Sequence, residues 1–304
     1  MTHEEARREI RELSSLLRRY NYEYHITNKP LVSDLEYDRV FDKLRDIEKS
    51  FPDLIEQDSP SRRVGSDLRG DLPEAEHSVP VLSLDKAYTA DAIMTWIEKT
   101  VRNAGQELTF VIEEKIDGVS IVLYYENGRL VRAITRGNGY VGNDVTANLM
   151  TVRSVPLRLN KDVTLAVRGE IYLPVDKFDD LNKQMETPYA NPRNLAAGSI
   201  RRIRSSEVAG IPLEIFTYEG YMENASTHLE NLEILRELGF RLNPRIGFFS
   251  KSGVLLAAKS SGMFTGSFDQ IEEYIRQKTL DRPGLTCEID GLVLKVNEIP
   301  VRDA

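Results

Sequence analysis

Apolar residues recur at steps of three and four at Ile10, Leu13, Leu17, Tyr20 and Tyr24, which puts them on one stripe of an amphipathic helix. A second helix is predicted from Ser33, where "SDLE" has the capping-box form and Glu36 lies three residues after the cap. Its stripe is Tyr37, Val40, Phe41, Leu44 and Ile47, and Pro52 ends it. With the connection "ITNKPLV" the two make a small helical unit, residues 1 to 67, and the polar stretch "SRRVGSDLRGDLPEAEH" reads as a linker.

From about residue 107 the pattern changes to that of strands. "LTFVIEE", "SIVLYYE" and "RLVRAIT" alternate or run apolar, and Asn127-Gly128 between the last two is a two-residue hairpin signal. Further strands are predicted at "TLAVRGEIYL", "LEIFTYEG" and "CEIDGLVLKV". Helices fit "ADAIMTWIEKTV", "VDKFDDLNKQM", "HLENLEILREL" with Gly239 as its stop, and "DQIEEYIRQK". Without a strict βαβ rhythm the fold class is α+β, with mainly antiparallel sheets.

Length and composition narrow the class. A chain of 304 residues suits two unequal domains, here 1–67 and 68–304. Hydrophobic content of 41% and charged content of 29% describe a folded chain. Cys287 is the single cysteine, which excludes a disulfide framework and a thiolate zinc cluster. The chain opens on "THEEARREI" with no apolar signal core, and no window approaches a membrane span, so a cytoplasmic protein is expected. A formal charge of -8 argues against a dedicated non-specific nucleic-acid binder and leaves room for a local basic patch.

The stretch "EEKIDGVS" at Glu113 to Ser120 sets Lys115 among three carboxylates beside an aspartate-glycine pair. At neutral pH roughly one lysine in two thousand carries the neutral amine that attack requires, and neighbouring carboxylates reduce that fraction. A cation must answer them. Lys295 in "EIDGLVLKV" is a candidate, and its odd spacing from Asp290 places the two on opposite faces of one strand. The plainer alternative is a solvated strand-end lysine paired with Glu113 or Asp117.

Lys115-Ile116-Asp117-Gly118 matches the K-x-D-G signature of covalent nucleotidyltransferases. Behind it stand "TRGNGYVGNDVT" from Thr135, "VRGEIYLP" from Val167, "NPRNLAAGS" from Asn191, "EIFTYEG" from Glu214 and "IDGLVLKVN" from Ile289. The ordered set resembles the adenylation region of the bacterial NAD-dependent DNA ligases, over nearly the whole chain. That resemblance implies a nucleotidyltransferase domain of the ATP-grasp-like, DNA ligase type. It implies that Lys115 attacks the α-phosphate of NAD, expels nicotinamide mononucleotide (NMN) and holds AMP through a phosphoramidate bond, with Asp117 placing it and Gly118 letting the nucleotide approach the backbone. In the full-length enzyme the AMP activates the 5'-phosphate of a DNA nick, in replication and repair.

By the same resemblance Glu113 is the adenine-side acid, Ser83 and Leu84 line the base, and Tyr218 stacks on it. Arg136 lies near ribose and phosphate, with Gly137, Gly139 and Gly142 allowing tight backbone approach. Glu170 bonds ribose hydroxyls or positions a metal-bound water, and Lys295 contacts the α-phosphate. Arg193, Arg201 and Arg282 serve phosphate contacts around the adenylate or the nick. "YEYH" and "DLEYD" resemble the NMN-recognising element, its matched positions being Tyr24, His25, Asp34, Tyr37 and Asp38. Aromatic rings and carboxylates suit a cationic nicotinamide.

The implied cofactors are NAD and Mg2+, or Mn2+ in its place, and the implied partner is nicked double-stranded DNA, met as a monomer and away from membranes. Full-length members of the family continue through another lysine-bearing strand, an OB-fold, a four-cysteine zinc module, helix-hairpin-helix motifs and a BRCT domain, whereas this sequence stops at "VNEIPVRDA". The expectation is an excised region that binds NAD and does not seal nicks alone. Two alternatives stay open: an ATP-dependent nucleotidyltransferase, and a non-catalytic module that binds NAD.

Overall fold

The computed structural model describes residues 1–25, 31–55, 59–61, 72–81, 84–222, 224–253 and 263–302, apart from the side chains of residues 18, 21–25 and 34. Along the chain the elements are α1 (His3–His25), α2 (Asp34–Ser50), β1 (Glu74–Glu76), α3 (Ala90–Ala104), β2 (Phe110–Ile116), β3 (Val119–Glu126), β4 (Arg129–Thr135) and β5 (Val141–Asn143). They continue with α4 (Thr146–Leu149), β6 (Leu165–Tyr172), α5 (Val175–Asn182), α6 (Pro192–Ile200), α7 (Ser205–Val208) and β7 (Glu214–Tyr221). The last are α8 (His228–Leu238), β8 (Ile246–Ser250), β9 (Phe264–Ser267), α9 (Ile271–Asp281) and β10 (Ile289–Val296). Two compact units result: Met1–Ser83 with Thr135–Asp144, and Leu84–Ile134 with Val145–Ala304.

In the first unit the stripes of α1 and α2 meet. Ala6, Ile10 and Leu17 pack with Leu44, Ile47 and Leu54, and Leu13, Tyr37, Val40 and Phe41 close the edges. Ser33 caps α2 as its spacing predicts, its hydroxyl accepting from the Glu36 N–H at 3.3 Å. The end of the expected linker is a strand instead. β1 pairs antiparallel with β5, Ala75 opposite Gly142, because the loop 135–144 offers main-chain groups to which even a charged "EAE" can bond.

The second unit holds two four-stranded sheets, ordered β10-β2-β8-β9 and β4-β3-β6-β7. All their pairings are antiparallel except β8 with β9, which is parallel. The turn between β3 and β4 is the expected one, with Asn127 at φ 47° and Gly128 at φ 73°. In the first sheet one face of β2 packs against α3 and α9. Phe110 and Ile112 bury there with Ile97, Phe249, Ile271 and Tyr274, each large side chain contributing roughly 1.5 to 3 kcal/mol. Alternation then turns Val111, Glu113 and Lys115 to the other face.

Candidate active site

Lys115 is the last residue but one of β2. β2 runs through to Ile116, anchored on both sides by β10 and β8, and it presents Lys115 with its side chain 47% exposed. The ammonium forms an ion pair with Asp290. Asp290 sits in a bulge: Ile289 faces Ile116 and Gly291 faces Lys115, leaving Asp290 as the extra residue of β10. The expectation that Asp290 and Lys295 occupy opposite faces is therefore wrong. The inserted residue resets the alternation, so Asp290 reaches Lys115 while Lys295 reaches Glu113, two residues back on the same face of β2.

Lys295 thus has a different carboxylate for its partner from Lys115. Its Nζ lies 2.6 Å from Glu113 Oε2, 3.2 Å from the Tyr218 carbonyl oxygen and 5.3 Å from the centre of the Tyr218 ring. These contacts join the two sheets, since Tyr218 belongs to β7. Burial alone would push the Glu113 carboxyl up, but the Lys295 ammonium and His228 outweigh it and hold its pKa down at about 2. Burial, with the Glu170 carboxylate beside it, pushes the Tyr218 phenol up to about 12. That hydroxyl lies 3.1 Å from Ser120 Oγ, and Ser120 stands opposite Glu170 in the register of β3 with β6.

Asp117 follows β2 and is engaged by Arg193 of α6, whose Nη1 donates to its Oδ1 at 3.0 Å. Asn191 caps α6 through its side chain and Pro192 opens it. Arg201 caps the C-terminal end of the same helix, eight residues after Arg193. Arg282 lies in the turn after α9; burial and the Asp117 carboxylate push the Glu288 carboxyl up, and Arg282 offsets only part of that rise.

Gly118 has a reason within the fold itself. A Cβ there would fall on the carbonyl oxygen of Ile171 and lie 3.0 Å from Glu170 Cγ, so close approach to β6 already requires glycine. Gly137, at φ 56°, serves the turn of the loop 135–144, where a Cβ would strike the Val141 carbonyl. Arg136 belongs to that loop in the first unit, its carbonyl accepting from the Gly139 N–H at 3.0 Å.

Tyr37 is half-buried in α2, stacked at 6.2 Å on Phe41, and Asp38 follows it, also half-buried. The side chains of Tyr24, His25 and Asp34, and residue Ser83, lie outside the described residues. Leu84 is 58% exposed. Two residues that sequence reasoning left without a role stand at the centre of the site. Asp290 lay in a quoted motif beside the glycine that marks its bulge, while His228, 2.8 Å from Glu113, was only the first letter of a helix.

Comparison with known proteins agrees with the chemistry of this face. Residues 69–304 match the NAD-dependent DNA ligase adenylation domain, and residues 3–65 match the DNA ligase-like N-terminal NAD+-binding domain. DNA ligase of Borreliella afzelii (strain PKo) is 42% identical over 297 residues, covering 97% of this chain and 43% of that protein. DNA ligase of Leptospira interrogans serovar Lai (strain 56601) is 40% identical over 308 residues, covering 100% of this chain and 42% of that one. The chain spans less than half the length of these relatives. A solved structure of mycobacterial DNA ligase D complexed with ATP and MES is similar at 13% identity and TM-score 0.34, covering 62% of this chain and 49% of that one, which adds nothing to the family assignment. With three-quarters of its length matched, this chain belongs to the family of NAD-dependent DNA ligase adenylation domains, preceded by the N-terminal NAD+-binding domain of DNA ligase-like proteins.

Proposed function

We propose that this chain binds NAD and accepts its AMP on Lys115, as the first step of DNA nick sealing by a longer ligase. The observation that carries the reading is the face of β2. Lys115 is a half-exposed amine paired with the Asp290 carboxylate, two residues from the buried Glu113–Lys295 pair. Attack by the Lys115 nitrogen forms a P–N bond at the α-phosphorus and breaks the P–O bond to NMN, which leaves with that oxygen. The amine must first give up a proton to water, against the hold of the Asp290 carboxylate. Lys295 and Arg193 supply positive charge for the phosphate oxygens, Tyr218 supplies an aromatic face for the base, and Glu170 a carboxylate for ribose hydroxyls.

The same reading divides the chain at 67/68, with the helical subdomain gripping NMN through Tyr24, His25, Asp34, Tyr37 and Asp38. Ser83, Leu84 and Glu113 serve the base, Arg136 the ribose and phosphate, and Arg201 and Arg282 the DNA phosphates. It places a monomer in the cytoplasm. Among the described residues no helix is long and apolar enough to cross a membrane. The reading also includes Mg2+, with Glu170 holding a metal-bound water. Among the described residues no group of three or more His, Cys, Asp or Glu side chains could hold a metal ion.

Intact-mass measurement after incubation with NAD or with ATP, each with magnesium, tests the proposal. We expect a gain of one AMP from NAD, none from ATP, and none in Lys115→Ala. Transfer from ATP alone would overturn the choice of NAD. An unchanged mass together with calorimetric NAD binding would reduce the function to binding.

A further inference from the structure

Glu113 and Lys295 rest on a third residue, His228, that the reaction leaves unused. It is fully buried and held firmly: its backbone N–H donates to the Asn297 carbonyl at 2.7 Å, and Thr227 and Glu230 close a reciprocal capping box around the start of α8. Nε2 lies 2.8 Å from Glu113 Oε2 and 3.3 Å from Lys295 Nζ, whereas Nδ1 is buried and has no partner among the described residues.

These contacts assign the imidazole proton. Burial first, then the Lys295 ammonium, keep the His228 pKa below its ordinary value against the pull of Glu113, so the ring is neutral at pH 7. An ionised carboxylate only accepts and an ammonium only donates; the carboxylate is the nearer of the two to Nε2, at 2.8 Å against 3.3 Å, so the hydrogen of that neutral ring sits on Nε2 and points at Glu113. Lys295 approaches the same oxygen, Oε2, at 2.6 Å. Two donors therefore converge on Oε2, and among the described residues no hydrogen bond reaches Oε1.

We propose that His228 is a positioning residue: with Lys295 it pins Oε2 of Glu113 and so aims Oε1 at the nucleotide base, making the site selective for a base that presents an amino group. The inference rests on NAD as the substrate. A carboxylate oxygen accepts from the exocyclic amine of adenine and repels the carbonyl oxygen that replaces that amine in hypoxanthine. Without the imidazole, Lys295 alone can follow Glu113 as it rotates, and the aim is lost.

Calorimetric titration of the chain with NAD and with nicotinamide hypoxanthine dinucleotide tests this, using native protein, His228→Gln, His228→Asn and His228→Leu. The Gln amide nitrogen takes the place of Nε2, while the Asn amide reaches only the place of Nδ1. We expect native protein and His228→Gln to favour NAD by about 100-fold, and the Asn and Leu variants by less than about 10-fold. A purely structural role would weaken both dinucleotides alike and leave the ratio unmoved. An unmoved ratio in the Asn and Leu variants, or equal affinity of native protein for the two dinucleotides, overturns the inference. Native protein that binds neither overturns the functional reading itself, a distinct outcome. Should both variants fail to fold, the 15N spectrum of the native imidazole decides: a proton on Nε2 is expected, and a proton on Nδ1 refutes the role.

Discussion

Glu113 and Glu114 are neighbours on one strand and equally buried, each 6% exposed, yet they face opposite ways into different chemistry. On the α9 side both oxygens of Glu114 are occupied. Arg245 Nε donates to Oε1 at 2.6 Å, Asn243 Nδ2 to Oε2 at 3.1 Å, and Lys278 stands 3.9 Å away. Among the described residues the two donors to Glu113 both meet one oxygen. The comparison teaches that a buried carboxylate is no mark of function by itself. A saturated carboxylate ties elements together, and one with an oxygen left over can meet a ligand.

The largest effect that separates the two faces is expected from Glu114→Leu. It strips Arg245 and Asn243 of a buried acceptor and should cost about 2 to 4 kcal/mol in urea unfolding, at the low end because Arg245 is 35% exposed. NAD affinity of the folded protein should stay within about twofold, since only the far face is disturbed. A cavity of about 290 Å³ beside Glu114, lined by Phe216, Arg241 and Cys287 among others, gives the leucine room. A loss of NAD binding equal to that in Glu113→Gln would erase the distinction between the faces.

Glu113→Gln should be milder for folding, about 1 to 3 kcal/mol, because Lys295 keeps the Tyr218 carbonyl. It should nevertheless abolish discrimination between NAD and its hypoxanthine analogue, which paired calorimetric titrations would show. The same cluster sets the pH dependence of folding. His228 is held neutral below its usual pKa, so as pH falls through about 6.5 the unfolded chain takes up a proton that the folded chain refuses. Glu113, with its pKa down at about 2, adds stability that is present above its ordinary pKa and lost as pH falls toward 2. Stability should therefore decline below pH 6.5 and more steeply below about 4.3, and Glu113→Gln should flatten the acid part of that curve. A curve unchanged in the variant would contradict the assignment.

Asp290→Asn should have the smallest effect on folding. The Lys115–Asp290 pair is half open to solvent, and such pairs contribute about 0 to 1 kcal/mol. Urea midpoints of variant and native protein should nearly coincide, and a loss beyond about 2 kcal/mol would mean that the pair is structural.

Local signals in the sequence were legible where chemistry a few residues apart decides the structure. The Ser33 cap, the Asn127-Gly128 turn and the Gly239 stop all appear where their residue types demand them. β8 and β9 escaped notice because "IGFFS" and "FTGS" are short, and a parallel pairing has no hairpin turn to announce it. α6 has no helical signal of its own in the sequence beyond its cap. Its Asn191 cap and Pro192 start were visible, but "PRNLAAGSI" has too weak a stripe to read as a helix. The site was legible as a set of residues and not as a set of pairs. Lys295 meets Glu113 instead of Lys115 because one bulge at Asp290 changes which side chains share a face. His228 reaches Glu113 across 115 positions of chain, a distance at which single-sequence patterns carry no signal.

The central claim is that the Lys115 amine, and no other group, takes AMP from NAD. Tandem mass spectrometry of peptides from chain incubated with isotopically labelled NAD tests it most directly. The predicted result is an acid-labile, alkali-stable AMP adduct on the peptide bearing Lys115, and an adduct on Lys295, or none at saturating NAD, would contradict it.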